Sequence, residues 1–191
     1  AGFTLLESGM TQSKNAVNIA MKNFMDISVA TITFWAVGYG LMYGAKTAGI
    51  ISLGSDIWFN PGAGAHDVFF QLVFAATAAT IVSGAIAGRT KYSTYIIFTV
   101  FMTAIIYPIS GGWQWYGDGA WLADMGFIDF AGSSIVHAVG GVAALVAAIM
   151  VGPRLGKFGK DGSVNAIPGS NLLLGTLGVF ILWLGWFGFN G

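Results

Sequence analysis

Residues 128–151 read IDFAGSSIVHAVGGVAALVAAIMV. Apolar and small side chains dominate this stretch, and its only titratable groups are Asp129 and His137. About 20 apolar residues suffice for a helix to cross the hydrocarbon core of a bilayer. The stretch therefore predicts a membrane-spanning helix. If other segments behave alike, the fold class is an all-α polytopic membrane protein.

The composition of the chain supports this fold class. Of its 191 residues, 55% are hydrophobic and only 8% are charged, whereas a soluble domain carries about 25% charged residues. So few charges cannot cover a water-facing surface, and lipid is the expected solvent. The net charge is zero, which leaves no basic field for nucleic acid. Without cysteine, the chain can form neither disulfides nor thiolate metal sites.

Other apolar runs predict a bundle of such helices. In chain order we expect the end of a helix from Ala1 to about Met10, then spans at about Asn23–Gly44, Asp67–Gly88, Tyr92–Ser110, Ile128–Val151 and Gly169 to the end. The turn residues Asn60-Pro61-Gly62-Ala63-Gly64 interrupt residues 45–66, which we expect to form a loop near the membrane surface. The abrupt start and the apolar end of the chain predict a fragment truncated at both ends.

Charge in the predicted loops indicates an orientation. Seven positive residues fall in odd-numbered loops, namely Lys14, Lys22, Arg89, Lys91, Arg154, Lys157 and Lys160, and only Lys46 falls in an even-numbered loop. The even-numbered loops instead carry Asp56, Asp67, Asp118 and Asp124. Since cytoplasmic loops are enriched in lysine and arginine, the odd-numbered loops are predicted to be cytoplasmic.

Three ionisable residues within or beside the spans are candidates for a function. His137 is expected near mid-bilayer, where it is either structural or part of a pore, since a neutral imidazole offers one donor and one acceptor. Asp129 either satisfies free backbone amides at a helix N-terminus or orients a cation at an outer mouth. Eight helical residues would separate the two by about 12 Å, so they are not a catalytic pair. Glu7 is expected to bond to another helix.

Aromatic residues crowd the segment before the span that contains His137. Trp113, Trp115, Tyr116 and Trp121 are either an interfacial belt or the wall of a cation-binding vestibule. Phe74 and Phe189 lie in spans, where phenylalanine facing lipid is the ordinary reading.

Several blocks of residues together form a recognisable pattern. The strongest is Asp129-Phe130-Ala131-Gly132-Ser133-Ser134-Ile135-Val136-His137. The others are Glu7-Ser8-Gly9-Met10, Ser13-Lys14-Asn15, Met21-Lys22-Asn23 and Gly185-Trp186-Phe187-Gly188-Phe189-Asn190-Gly191. Together they resemble the ammonium transporter family (Amt/Mep/Rh), and its bacterial and archaeal Amt branch in particular. The strongest block is similar to the family's D-F-A-G-x-x-V-x-H region, and the blocks occur in the family's order along the whole chain.

The resemblance implies an eleven-helix protomer with two inverted five-helix repeats, usually assembled as a homotrimer. Residues 1–191 would be a partial ammonium transporter domain that holds the first repeat and the next helix. By the same resemblance, His137 matches the first of two pore histidines, and Phe74 and Phe189 match an aromatic gate. Trp115 is the candidate for an outer ammonium site with Asp129 beside it, although Trp113 competes for that place.

The function implied is transport of ammonium or ammonia through a hydrophobic pore in the cell membrane, with a cytoplasmic regulatory protein as a further implied partner. The alternative is a receptor of the same fold, fused to a signalling module, that senses ammonium. A membrane enzyme using His137 and Asp129 is the least favoured interpretation, because the sequence contains no nucleophile–base constellation. No cofactor is indicated.

Overall fold

The apolar runs form long helices in the computed structural model, which describes residues 1–60, 62 and 64–190. Within those residues, five helices are long and apolar enough to cross a membrane, which confirms the predicted fold class. We number all helices in chain order: α1 Gly2–Met10, α2 Ser13–Tyr43, α3 Ala65–Ile86, α4 Tyr92–Trp115, the short α5 Trp121–Asp124, α6 Ser133–Val151 and α7 Leu172–Asn190. Residues 61, 63 and 191, which belong to motifs quoted above, lie outside the described residues.

The connection between α2 and α3 contains the described strands. The antiparallel pair β1 Lys46–Thr47 and β2 Ile51–Ser52 is followed by a 3₁₀ turn at Ser55–Ile57. The Asp56 carboxylate accepts the Ala45 N–H, which ties this turn to the end of α2. Residues 46–52 of the expected loop therefore form an ordered hairpin.

The start of α2 corrects one prediction. This helix begins at Ser13 rather than near Asn23, so Lys22 lies inside it and not in a loop. Lys22 is only 5% exposed, and its Nζ lies 3.2 Å from Glu7 Oε2. The ion pair allows a lysine to be buried within the helix bundle. It also gives Glu7 the partner on another helix that we expected. Lys14 is the second residue of α2, so five of the seven predicted cations remain in odd-numbered loops, namely Arg89, Lys91, Arg154, Lys157 and Lys160.

Two further boundaries differ from the expectation. α4 continues to Trp115, so Trp113 and Trp115 lie on a helix and not in a loop. α6 begins at Ser133, so Asp129 precedes it and His137 is its fifth residue rather than about the ninth. The cause is a tight turn at 129–132 that caps α6, so the helical spacing assumed between Asp129 and His137 does not apply.

Helix pairs pack closely where glycine replaces a larger side chain. A methyl group added to Gly9 of α1 would collide with the backbone of Gly175 and Asn171 at the start of α7. Such contacts between small residues are how membrane helices approach each other. The apolar core lies where α2, α3, α4 and α6 meet, and its largest members are Phe34, Tyr39, Met42, Phe74, Met102 and Tyr107.

Three spans contain a wider π-helical turn, and two of these turns lie side by side. They occur at Phe34–Gly38 in α2, Met102–Ile106 in α4 and Ser133–Ala138 in α6. The hydroxyls of Thr33 and Thr103 are 2.6 Å apart and join α2 to α4. π turns are rare and often mark functional sites, and the one in α6 includes His137.

Candidate conduction pathway

The N-terminus of α6 is organised by the carboxylate of Asp129. Oδ1 accepts the N–H groups of Gly132 and Ser133 at 2.8 and 3.0 Å, and Oδ2 accepts those of Ser134 and Ile135 at 2.8 Å each. A helix N-terminus leaves four such donors without intrahelical partners, and this one side chain satisfies four. The interpretation of Asp129 as a helix-capping group is confirmed.

The surroundings of Asp129 keep it ionised. Burial by itself would raise the pKa of this carboxyl, which is 8% exposed, but the four backbone N–H donors outweigh burial and hold the pKa below its ordinary value of 3.8. Gly132 makes the tight turn to the helix because its φ of 88° lies in the left-handed region, where a side chain is strained. The Asp-x-x-Gly spacing in the sequence thus places a carboxylate that caps α6 three residues before the glycine that makes the turn.

His137 is oriented by the same turn. Its Nδ1 lies 3.0 Å from the carbonyl oxygen of Gly132. A carbonyl can only accept, so Nδ1 carries the hydrogen, and in the neutral ring Nε2 is left as an acceptor. The Gly132 peptide therefore connects the two residues: its N–H donates to Asp129 and its C=O accepts from His137.

Three aromatic rings form a continuous series from the end of α4 to the end of α7. The Trp115 and Phe74 ring centroids are 5.2 Å apart, and those of Phe74 and Phe189 are 5.5 Å apart, with edge-to-face geometry in both pairs. The two phenylalanine rings, which the resemblance assigns to an aromatic gate, are nearly perpendicular, at 89°. Edge-to-face contact is a favourable arrangement, because the positive edge of one ring meets the negative face of the other.

The two tryptophans of α4 have different surroundings. Trp115 Nε1 donates to the backbone carbonyl of Asp129 at 2.7 Å, which holds its indole against Phe74. Trp113 instead donates from Nε1 to the Ile50 carbonyl and packs against Trp121, on the side of the hairpin. Sequence alone left both as candidates for the outer site. Of the two tryptophans, Trp115 is the one that packs against Phe74.

A largely apolar cavity of about 560 Å³ brings the predicted residues together; we call it the main cavity. His137, Phe74 and Phe189 all line it, together with residues of α1 and α7. Within the described part of the chain, His137 is the one titratable residue in the lining, which also contains Thr77 and Trp186 among mostly apolar side chains. The arrangement can admit a small neutral solute and offer it the imidazole of His137 as a hydrogen-bonding group.

One group near this pathway was not predicted from the sequence. Lys46 of β1 donates from Nζ to the Leu41 carbonyl at 3.0 Å, and its ammonium group lies 5.2 Å from the centroid of the Tyr116 ring. Burial lowers the pKa of Lys46 from 10.5 to about 8. The only signal in the sequence was its position as the single cation of the even-numbered loops.

The model of the Ammonium Transporter Family matches residues 1–191. The chain belongs to the ammonium transporter family. This confirms the family predicted from the motif blocks, and the family is one of multi-pass membrane transporters rather than enzymes.

Relatives and solved structures of the family resemble the chain along its length. It is 50% identical over 206 residues to the ammonium transporter Amt2 of Archaeoglobus fulgidus, covering 100% of this chain and 43% of that protein. A solved structure named Sensor Amt Protein superposes with a TM-score of 0.91 at 46% identity, covering 99% of this chain and 49% of that one. The crystal structure of Candida albicans Mep2 gives a TM-score of 0.81 at 26% identity, covering 99% and 43%. The chain thus spans under half the length of these family members.

Proposed function

We propose that the full-length protein conducts ammonium or ammonia across the cell membrane, and that this chain contributes the outer ammonium site, the aromatic gate and one pore histidine. The observation that carries the proposal is the convergence of Phe74, Phe189 and His137 on one apolar cavity, with Trp115 packed on Phe74. Family membership supports the same substrate.

The outer site is proposed at Trp115. An aromatic face attracts a desolvated cation by about 1–2 kcal/mol, and the hydrogen bond to the Asp129 carbonyl keeps this ring in one orientation. The Asp129 carboxylate is occupied by four backbone donors, so its role at this site is to position Trp115 and the start of α6. Its negative charge adds long-range attraction for a cation.

The form in which the solute passes below this site is determined by the cost of removing water from the ion. Transfer of a bare ion into an apolar cavity is prohibitive. We expect the ion to transfer one proton to a water molecule on the outer side of the gate formed by Phe74 and Phe189. This proton crosses separately by way of Nε2 of His137 and is the charge that a current measures. Ammonia then passes the phenylalanines and meets Nε2 of His137, which accepts a hydrogen bond from it. The Gly132 carbonyl keeps the imidazole in the tautomer that this step requires.

The proposal extends to the setting of the whole protein. The odd-numbered loops with their five cations, together with Lys14 at the start of α2, are expected to face the cytoplasm, and the polytopic helices are expected to lie in the cell membrane. A homotrimer and a cytoplasmic regulatory protein are proposed from family membership.

The test is an ammonium-evoked current in liposomes that contain the full-length protein, compared with a His137→Ala variant. A current that is lost or reshaped in that variant is expected. His66→Ala is the matched control, because His66 lies in the first turn of α3 and does not line the main cavity. An unchanged current in His137→Ala would contradict the role proposed for this ring.

The second candidate function is ammonium sensing. It is favoured by the 46% identity to the Sensor Amt Protein. A receptor would bind ammonium at Trp115 without turnover. Saturable ammonium binding with neither current nor uptake would therefore replace the transport proposal with the sensing one.

A further inference from the structure

A small polar cavity of about 100 Å³ lies at the end of the bundle that carries the odd-numbered loops, and we call it the junction cavity. Three connections meet around it, namely the turn from α1 into α2, the turn after α3 and the segment that follows α6. The residues used below to define it are Gln12, Lys14, Asn15, Gly88, Arg154 and Leu155. None of them lines the main cavity or has a role in the conduction pathway proposed above.

Hydrogen bonds between these connections hold the walls of the junction cavity in place. Arg154 Nε donates to the Ala87 carbonyl at 3.1 Å, which joins the segment after α6 to the end of α3. The Ser170 N–H donates to the Thr11 carbonyl at 2.8 Å, which joins the same segment to the turn before α2. The cavity is therefore bounded by backbone that is fixed on both sides.

Two cations without a partner line the junction cavity. Within the described residues, neither the Lys14 ammonium group nor the terminal guanidinium nitrogens of Arg154 have a hydrogen-bond partner, and the one pair at salt-bridge distance joins Lys22 to Glu7. The described lining of the cavity contains no aspartate or glutamate. Two unpaired positive charges that share one space repel each other, so this space favours an anion.

Asn15 contributes a further donor to the same space. A methyl group placed on Gly88 would lie 3.0 Å from Asn15 Nδ2 and 3.7 Å from Arg154 Nε, so these two side chains approach each other beside the glycine. Gly88 has a φ of 74°, in the left-handed region where a side chain is strained. The absence of a side chain at this position leaves room between the amide and the guanidinium group.

Phosphate is the anion whose chemistry matches these donors. The planar fork of arginine binds phosphate oxygens in pairs, and lysine binds them as a point charge. A phosphate group carries at least one negative charge near neutral pH and accepts hydrogen bonds from several directions. One water molecule needs about 10–15 Å³ of such space, so a cavity of about 100 Å³ has room for a phosphate with its oxygens.

We propose that the junction cavity binds a phosphate group, with Lys14 and Arg154 on its oxygens and the Asn15 amide as a further donor. The bound group neutralises both cations and joins the start of α2 to the segment after α6. Two sources supply this chemistry on the predicted cytoplasmic side: free phosphate, and the headgroup of an anionic phospholipid with its glycerol against the fully exposed Leu155. Basic pockets at the cytoplasmic ends of spanning helices bind such headgroups.

The test follows thermal unfolding of the full-length protein in detergent. In one arm the protein is titrated with sodium phosphate, and with sodium chloride at equal ionic strength. In the other arm the mixed micelles are titrated with phosphatidylglycerol, and with dioleoylglycerol, which lacks the phosphate. We expect a saturable rise in the unfolding temperature with phosphate or with phosphatidylglycerol that its comparison compound does not give. The arm that responds identifies the source of the phosphate group.

Three variants locate the site. Lys14→Gln should raise the midpoint of the responding arm at least fivefold, and because the Lys14 side chain makes no hydrogen bond to the described residues, this variant should still fold. Arg154→Gln should raise the midpoint as much, although it also removes the bond to the Ala87 carbonyl. Lys160→Gln is the matched control, because this exposed lysine follows α6 on the same predicted side and does not line the junction cavity. Its midpoint should stay within twofold of the native value.

The site would be overturned if phosphate raised the unfolding temperature no more than chloride and phosphatidylglycerol no more than dioleoylglycerol. A midpoint that Lys14→Gln leaves unchanged would overturn it as well. An equal shift in Lys160→Gln would indicate diffuse attraction by the basic loops instead of a site. A shift in Lys14→Gln with none in Lys160→Gln, in either arm, supports the junction cavity.

Discussion

Replacement of Asp129 with asparagine tests whether this carboxylate caps α6 or binds the cation directly. Asparagine keeps one acceptor oxygen, so two of the four backbone N–H groups retain a partner. The other two would face an NH₂ group that cannot accept. A hydrogen bond to a charged group contributes about 1.5–3 kcal/mol, and water near the exposed Ser133 and Ser134 replaces part of it, so we expect a loss of roughly 2–5 kcal/mol in stability.

The assay is unfolding of the full-length protein in detergent, together with its ammonium current in liposomes. Asp124→Asn is the matched control, because this exposed carboxylate accepts a single N–H, from Gly119, through an oxygen that asparagine retains. Its cost should stay below about 1 kcal/mol. Asp129→Asn should also weaken the current, because a disturbed turn at 129–132 holds the Trp115 indole less firmly through the Asp129 carbonyl.

The pH dependence of stability provides a second readout for the same residue. The pKa of Asp129 lies below its ordinary value of 3.8 in the folded protein, so the folded state holds this proton less tightly than the unfolded chain. Its contribution is present above pH 3.8 and is lost as the pH falls through the lowered pKa. Asp129→Asn should remove that acid-dependent component. Unchanged stability in Asp129→Asn with complete loss of ammonium binding would refute the capping role and indicate direct contact.

Three further predictions concern other contacts. Trp115→Leu should raise the ammonium concentration for half-maximal current about tenfold, because a cation on an aromatic face is stabilised by about 1–2 kcal/mol. Trp113→Leu should change this concentration less than twofold. Equal effects of the two variants would contradict the assignment of Trp115. Glu7→Gln should destabilise the protein by about 3–5 kcal/mol because Lys22 is left buried without its ion-pair partner. Unfolding of this variant, of Lys22→Met and of the double variant measures the coupling energy between Glu7 and Lys22. The pKa of Lys46 is about 8 in the folded protein, below its ordinary value of 10.5, so between pH 8 and 10.5 only the unfolded chain binds this proton. Stability should therefore rise with pH across this range in the native protein but not in Lys46→Met.

Local pattern was enough to predict most of the architecture. Long apolar runs with turn residues between them predicted all five spanning helices, because a bilayer requires about 20 apolar residues and internally satisfied backbone groups. One boundary, the start of α2, was wrong where a long-range contact intervenes. Lys22 seemed to be a loop cation because its partner, Glu7, lies on another helix, and no local pattern contains that information.

The candidate site was likewise predictable from the sequence only in part. The blocks around Asp129, His137, Phe74 and Phe189 were recognisable in the sequence, and His137 was expected at membrane depth because of its flanking apolar residues. The sequence offered two readings of Asp129 and two candidate tryptophans. The backbone turn through Gly132 and the bond from Trp115 Nε1 to the Asp129 carbonyl distinguish them. Both depend on how 129–132 folds back onto the end of α4.

Sequence by itself determined that this chain belongs in a membrane, how many spans it has and which family motifs it carries, since hydrophobic run length and motif order are properties of the chain in one dimension. Tertiary structure alone decided which polar groups share a cavity. Lys14, Gly88 and Arg154 are up to 140 positions apart, yet they line one space because three connections meet at one end of the bundle. Burial makes each unsatisfied acceptor and each unpaired charge expensive, so function in such a protein depends on contacts that only the packed helices create.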